Sequence, residues 1–178
     1  NTGKKSVTFD WCSRDNQLIL DRLLESADVL VHSSAPATLR GLGLEFGNLH
    51  KTHPRLVVLS ITDFGNSGPY SNWKSTPLVN LALGGYLYLS GDESQEPLML
   101  PGYQADYLAG LHGYLGTMIA LWSRDNTGLG QEVEVAVIES LAALHQFTTV
   151  MHTYGKVVRS RHGNRFEEEG VYGRYPIT

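Results

Sequence analysis

The amino-acid sequence predicts an α/β fold, a doubly wound, Rossmann-like and mostly parallel sheet with flanking helices. Three observations carry that expectation. The first third of the chain alternates segments with strand and helix character. The run "RLVVLSITDF" at 55–64 is continuously apolar and β-branched, as a strand covered on both faces requires. The turn-rich "GNSGPY" at 65–70 follows it directly, at the carboxyl end where open α/β sheets hold their ligands. Strands separated by helices pair in parallel through right-handed crossovers.

In chain order, "SVTF" at 6–9 alternates in strand fashion, and Ser13 or Asp15 can cap a helix whose Ile19, Leu20, Leu23, Leu24 and Ala27 share one face. "DVLV" at 28–31 is a second short strand. "SSAP" then offers a hydroxyl cap and a first-turn proline to a helix running toward Leu42. After the 55–64 strand, Thr76 and Pro77 open a helix containing Leu78, Val79, Leu81, Ala82 and Leu83, and Gly84 and Gly85 let a neighbouring backbone come close. "SGDESQEP" is a polar surface loop.

From Asp106 onward, Leu108, Leu111, Leu115, Met118 and Trp122 step by three and four along one side of a long helix. Ala109, Gly113, Gly116 and Ala120 form a second, small-residue stripe, which predicts close helix-to-helix contact. "NTGLGQ" ends that helix. Val133, Val135 and Val137 then alternate as a strand before "IESLAALHQF" resumes helical spacing, and the tail from Lys156 to Thr178 is polar and glycine-rich.

The bulk numbers exclude several classes. With 178 residues, 42% of them apolar, the chain is large enough to bury one ordinary core. Fourteen Lys and Arg against eighteen Asp and Glu give no electrostatic reason to expect nucleic acid or an anionic membrane as partner. A single cysteine, Cys12, cannot close an internal disulfide and reads as an inert, half-buried thiol; no Cys/His cluster has metal-ligand spacing, so no metal is expected. No run approaches the roughly 18 apolar residues of a membrane span, and "NTGKKSVTFDW" lacks the apolar core of a secretory signal, which predicts a cytoplasmic protein. A chain that opens on Asn and stops at "VYGRYPIT" is expected to be a fragment of a longer polypeptide. The glycines of "GLGLEFG" at 41–47 have the wrong spacing and context for a dinucleotide fingerprint, which argues against a nicotinamide enzyme.

The chemistry gathers at "PGYQADYLAGLHG", residues 101–113, where one carboxylate, Asp106, stands at the mouth of an apolar helix. Two readings follow from its position. Asp is among the commonest N-cap residues and would there satisfy a free backbone N–H; a carboxylate at a helix N-terminus is also held ionised and can act as a nucleophile.

The ordered set "GKKSVTFD", "ADVLVHSSAP", "PRLVVLSITDFGNSGPY", "LALGGYLYLSG", "ADYLAGLHG", "TGLGQEVEV" and "RHGNR" resembles the family III CoA-transferases, the CaiB/BaiF group that includes formyl-CoA transferase, carnitine CoA-transferases and α-methylacyl-CoA racemase. The resemblance implies a large α/β domain, here partial at residues 1–155, a linker beginning at 156–178 and leading to a smaller domain, and two chains threaded as an interlocked homodimer. It implies an acyl-CoA:carboxylate CoA-transferase acting on an acyl-CoA and a small carboxylic acid, with coenzyme A as part of the substrate and no metal. The family's nucleophilic aspartate opens a D-x-x-A/T-G stretch, which here is Asp106 to Gly110.

Around it, His32, Ser33 and Ser34 would meet the nucleotide portion of CoA, and Phe64, Gly65 and Tyr70 would line the thioester pocket. Gly65, Gly68, Gly84 and Gly85 are candidate wall glycines. "HSSAPA" departs from the family's "ENFRPG", so an Arg contact to phosphate is lost. Racemases of the group carry a histidine and an aspartate where this chain has Thr76 and Pro77, which favours transfer over racemisation. The alternatives are a racemase or isomerase of the same fold, or a non-catalytic unit of a tandem protein. His112, six residues past Asp106, is expected to be packed or solvated, and Arg161 and Arg165 to meet phosphates or a partner chain.

Overall fold

A computed structural model describes residues 2–10 and 13–163; Cys12, Arg165 and the segment 164–178 lie outside them. Three parallel strands form its sheet, β1 (Val29–His32), β2 (Val57–Thr62) and β3 (Glu132–Ala136), in the order β1-β2-β3. Leu59 of β2 pairs with Val31 on one side and Val133 on the other, which fixes the register across all three.

Residues 6–9 form no strand, contrary to the expectation from their alternation. Alternation alone does not make a strand; its N–H and C=O groups need a neighbour, and among the described residues no strand is added beside β1. The helix that follows, α1 (Arg14–Ser26), forms as predicted, although Ser13 at its N-cap makes no side-chain cap bond. Helix α2 (Pro36–Leu42) has its proline in the first turn, but its N-cap is Ala35, so neither Ser33 nor Ser34 caps it. Gly43, at φ 69°, ends α2, and α3 (Phe46–Thr52) begins within the "GLGLEFG" stretch.

Both faces of β2 are covered. Because side chains alternate along a strand, Val58 joins Leu56, Leu24 of α1 and Leu49 of α3 on one face. Leu59 and Val135 pack on the other with Leu81 of α4 (Pro77–Leu83), Ala105 and Ala109 of α6 (Gln104–Thr127) and Leu141 of α7 (Val137–Ala143). Val137, expected as the last inward residue of a strand, instead opens α7. A short α5 (Tyr86–Leu89) and a final α8 (Gln146–Gly155) complete the described order. Thr76 caps α4 as expected, accepting from Val79 N–H at 3.4 Å, and Gly84 meets α7 so closely that a Cβ there would stand 2.8 Å from that of Leu141.

Helix α6 crosses from β2 to β3 and reverses one expectation. Its small-residue stripe, read as a helix-to-helix contact, lies on the sheet: a Cβ on Gly113 would come within 3.0 Å of Leu59 Cδ2, and one on Gly116 within 2.7 Å of Val133 Cγ1. Apart from Leu108, which packs against the core, the large stripe points away. Leu111, Leu115, Met118 and Trp122 are all exposed, Trp122 to 73%. Small side chains let the helix axis approach the strands, so the bulky residues fall on the opposite side. At its far end, Arg124 ties α6 to the sheet by a 3.0 Å ion pair with Asp28, just before β1.

Candidate active site

Strand β2 ends in a loop whose conformation its own side chains fix. Asp63 accepts from Asn80 Nδ2 at 2.7 Å, and the buried Asn80 in turn accepts from Ser75 Oγ at 2.6 Å. Ser60 donates to Asn66 Oδ1 at 3.0 Å, and the Asn66 N–H donates to Glu134 Oε1. Gly65 sits directly over that carboxylate at φ 84°; a Cβ would stand 2.8 Å from Glu134 Oε1, so both the backbone angle and the space require glycine there. Beyond it the rings of Phe64, Tyr70 and Trp73 pack edge to face and tilted, Tyr70 to Trp73 at 4.5 Å between centroids.

Between this loop and the start of α6 lies a cleft of about 300 Å³. Ile61, Thr62, Asp63 and Phe64 form its floor, Ser71 and Trp73 one wall, Ser33 and Ala35 the side toward β1, and Asp106 and Val137 the remainder. It occupies the carboxyl end of a parallel sheet, the position the fold assigns to a ligand.

Asp106 is not the cap of α6. Tyr103 holds that position, with the first helical bond running from Tyr107 N–H to the Tyr103 carbonyl at 2.9 Å. Asp106 is the third helical residue, exposed, and hydrogen-bonded to no described residue. It stands in the first turn, where the free N–H groups of the helix favour negative charge. A carboxylate so placed is open to a ligand in the cleft.

Of the residues expected in the site, the cleft brings together Asp106, Ser33 and Phe64. His32, Ser34, Gly65 and Tyr70 are not in its lining: His32 ends β1 half-buried, and Tyr70 contributes by packing on Phe64 and Trp73. Burial holds the His32 imidazole below its usual range, and its Nδ1 has no partner among the described residues. Gly68, Gly84 and Gly85 are also outside the cleft; Gly84 and Gly85 border a second, more apolar hollow beside α8. His112 is packed, its Nδ1 2.9 Å from the Leu108 carbonyl.

Sequence reasoning missed Asp63, Ser71 and Trp73. Asp63 carried a signal, a charge closing an otherwise apolar strand one residue before a glycine-rich turn; the other two are placed by the fold of a loop that has no period to read. Among the described residues no three His, Cys, Asp or Glu side chains are grouped so as to hold a metal ion, and no helix is long and apolar enough to cross a membrane.

Residues 1–178, the whole chain, match the model of CoA-transferase family III. The chain belongs to this family. It is 34% identical over 167 residues to the succinyl-CoA–L-malate CoA-transferase beta subunit of Chloroflexus aurantiacus, covering 93% of this chain and 41% of that one. It is 36% identical over 162 residues to the succinyl-CoA:(R)-benzylsuccinate CoA-transferase subunit BbsE of Thauera aromatica, covering 90% and 40%. A formyl-CoA:oxalate CoA-transferase of Streptomyces avermitilis is 34% identical over 137 residues, 77% of this chain and 33% of that one.

Among solved structures, a CaiB/BaiF family protein from Brucella suis superposes with a TM-score of 0.87 at 28% identity, over 91% of this chain and 43% of that chain. The family III chain thus spans about two fifths of the length of the first relatives it matches. The α/β architecture is that of CaiB/BaiF proteins.

Proposed function

We propose that the protein is an acyl-CoA:carboxylate CoA-transferase with Asp106 as its nucleophile. The observation that carries this reading is the state of that carboxylate, exposed, lining a cleft and bonded to no described residue. The names of the relatives, transferases that exchange CoA between succinate or formate and a second acid, support the reaction class.

An Asp106 oxygen adds to the thioester carbonyl carbon, the C–S bond breaks, CoA leaves as thiolate, and the acyl group remains as a mixed anhydride. The thiolate then attacks the Asp106 acyl carbon and expels the donor acid as its carboxylate, leaving an aspartyl-CoA thioester. The acceptor carboxylate attacks that same carbon, and the released thiolate takes the acyl group from the second anhydride and frees Asp106. Each step exchanges one acyl bond for another, so the thioester energy is conserved without ATP or metal.

On this reading Ser33 and the neighbouring His32 and Ser34 contact the CoA moiety, and the Phe64, Gly65 and Tyr70 turn shapes the thioester end. Residues 1–155 belong to the large domain, with the linker starting at 156. The uncovered apolar side of α6, including Leu111, Leu115 and Trp122, is the face we assign to the rest of an interlocked homodimer. A cytoplasmic location fits a CoA-dependent reaction. Racemisation is disfavoured, since Thr76, where racemases of the group carry a base, is engaged in capping α4.

The test is covalent trapping. The full-length protein incubated with an acyl-CoA and hydroxylamine should yield a hydroxamate on the peptide carrying Asp106, seen by mass spectrometry. Acyl transfer that proceeds while this peptide stays unmodified would rule out the aspartyl route.

A further inference from the structure

The cleft contains a second carboxylate, and the surrounding structure holds it in place. We infer that Asp63 is a specificity-determining residue that turns away acyl groups ending in a carboxylate and accepts those ending in a hydroxyl. This rests on the transferase reading and takes Asp63 to face the far end of the acyl group rather than the thioester.

Three features lead to it. Asn80, only 4% exposed, donates to Asp63 Oδ1 at 2.7 Å and is itself held by Ser75, so a buried amide fixes one carboxylate oxygen of a residue that lines the cleft. The backbone is tied as well, the Asp63 carbonyl accepting from Ile138 N–H at 3.2 Å. No Lys, Arg or His among the described residues forms an ion pair with Asp63 or Asp106. Both residues line the same cleft. An ionised carboxylate only accepts hydrogen bonds, so it suits a substrate hydroxyl and opposes a second anion.

Succinyl-CoA and 4-hydroxybutyryl-CoA make a suitable probe pair, since they match in length and differ in a terminal carboxylate against a terminal hydroxymethyl. The measurement is the rate of hydroxylamine-trapped modification of Asp106 in the full-length protein, which needs no acceptor acid. The native protein should prefer the hydroxyl probe, and Asp63→Asn should shift the ratio toward succinyl-CoA by about tenfold, as expected when like charges are no longer juxtaposed. Asn at 63 retains an acceptor oxygen for Asn80; Asp63→Ser, smaller and also neutral, should shift the ratio in the same direction.

Asp106 modified with an unchanged probe ratio in both variants would overturn the inference and leave the transferase reading standing. No modification by either probe in any of the three proteins would remove both.

Discussion

Replacing Asp106 by alanine separates a structural carboxylate from a chemical one, because the two roles predict different stabilities. As an N-cap, Asp106 would contribute about 1 kcal/mol, lost on truncation to alanine. The structure leaves it no such bond. What alanine removes is the attraction between a first-turn charge and the helix terminus, about 0.3–1 kcal/mol. What it adds is helix propensity, about 0.5 kcal/mol over Asp. These nearly cancel, so Asp106→Ala should change the unfolding free energy by less than about 0.5 kcal/mol. Transfer should fall by about 10³-fold or more, the scale on which loss of a nucleophile is felt. Asp106→Asn should be as inactive, since it keeps the shape but offers an amide nitrogen in place of one oxygen. Urea unfolding and CoA-transfer rates on the same preparations make the comparison. Destabilisation above about 1.5 kcal/mol, or activity within tenfold of the native protein, would refute the assignment.

Gly130→Ala should destabilise by about 3 kcal/mol or more, because the new Cβ would fall on the Leu56 backbone carbonyl, whereas Gly41→Ala, in open space on α2, should stabilise by about 0.5 kcal/mol; chemical denaturation distinguishes the two. Arg124→Ala should cost about 1–2 kcal/mol by the same assay, since the mostly buried Arg124 pairs through Nη1 with the largely exposed Asp28 carboxylate and donates from the same nitrogen to the Asp28 and Arg55 carbonyls. Burial lowers the His32 pKa from 6.5, so the unfolded chain binds the proton first and stability falls as pH drops below that value. His32→Asn should flatten that part of the stability profile, and a parallel profile in the variant would remove His32 as its source.

What could be read from the sequence was whatever depends on local period and punctuation. The run around Val57 and Val58 declared a strand covered on both faces, and Thr76-Pro77 declared the start of α4. The length of α6 followed from its apolar spacing, and the cleft's position followed from the turn after β2. The inward face of α6 did not follow. Its leucines have the stronger hydrophobic signal, but that signal records burial without naming the partner, and glycine is what allows contact with this sheet. Likewise, nothing around Asp63 in sequence announces Asn80, seventeen residues away, because only the packing of α4 beside the end of β2 brings them together.

The small-residue face of α6 also explains why Asp106 reaches the cleft. Asp106 and Gly113 are seven residues apart, about two helical turns, so they lie nearly on one side of the helix and about 10 Å apart along it. Gly113 rests on Leu59 and Ile61 within β2, and the helix runs opposite to the strands across this crossover, so Asp106 on the same side projects past the strand's carboxyl end. The close contact at Gly113 therefore sets the height of the carboxylate above the cleft floor. In Gly113→Ala the new Cβ would press on Leu59 Cδ2 at 3.0 Å and Ile61 Cδ1 at 3.2 Å, flexible side-chain ends that yield by a few tenths of an ångström. Overpacking of about 1–3 kcal/mol would be partly offset by about 1 kcal/mol of helix propensity, so the protein should fold. The lifted carboxylate should then be acylated several-fold more slowly, because attack tolerates little misplacement. Hydroxylamine trapping in Gly113→Ala, read beside its denaturation midpoint, measures both. Native-rate labelling of Asp106 in a destabilised variant would show that contact at Gly113 supports the fold without positioning the nucleophile.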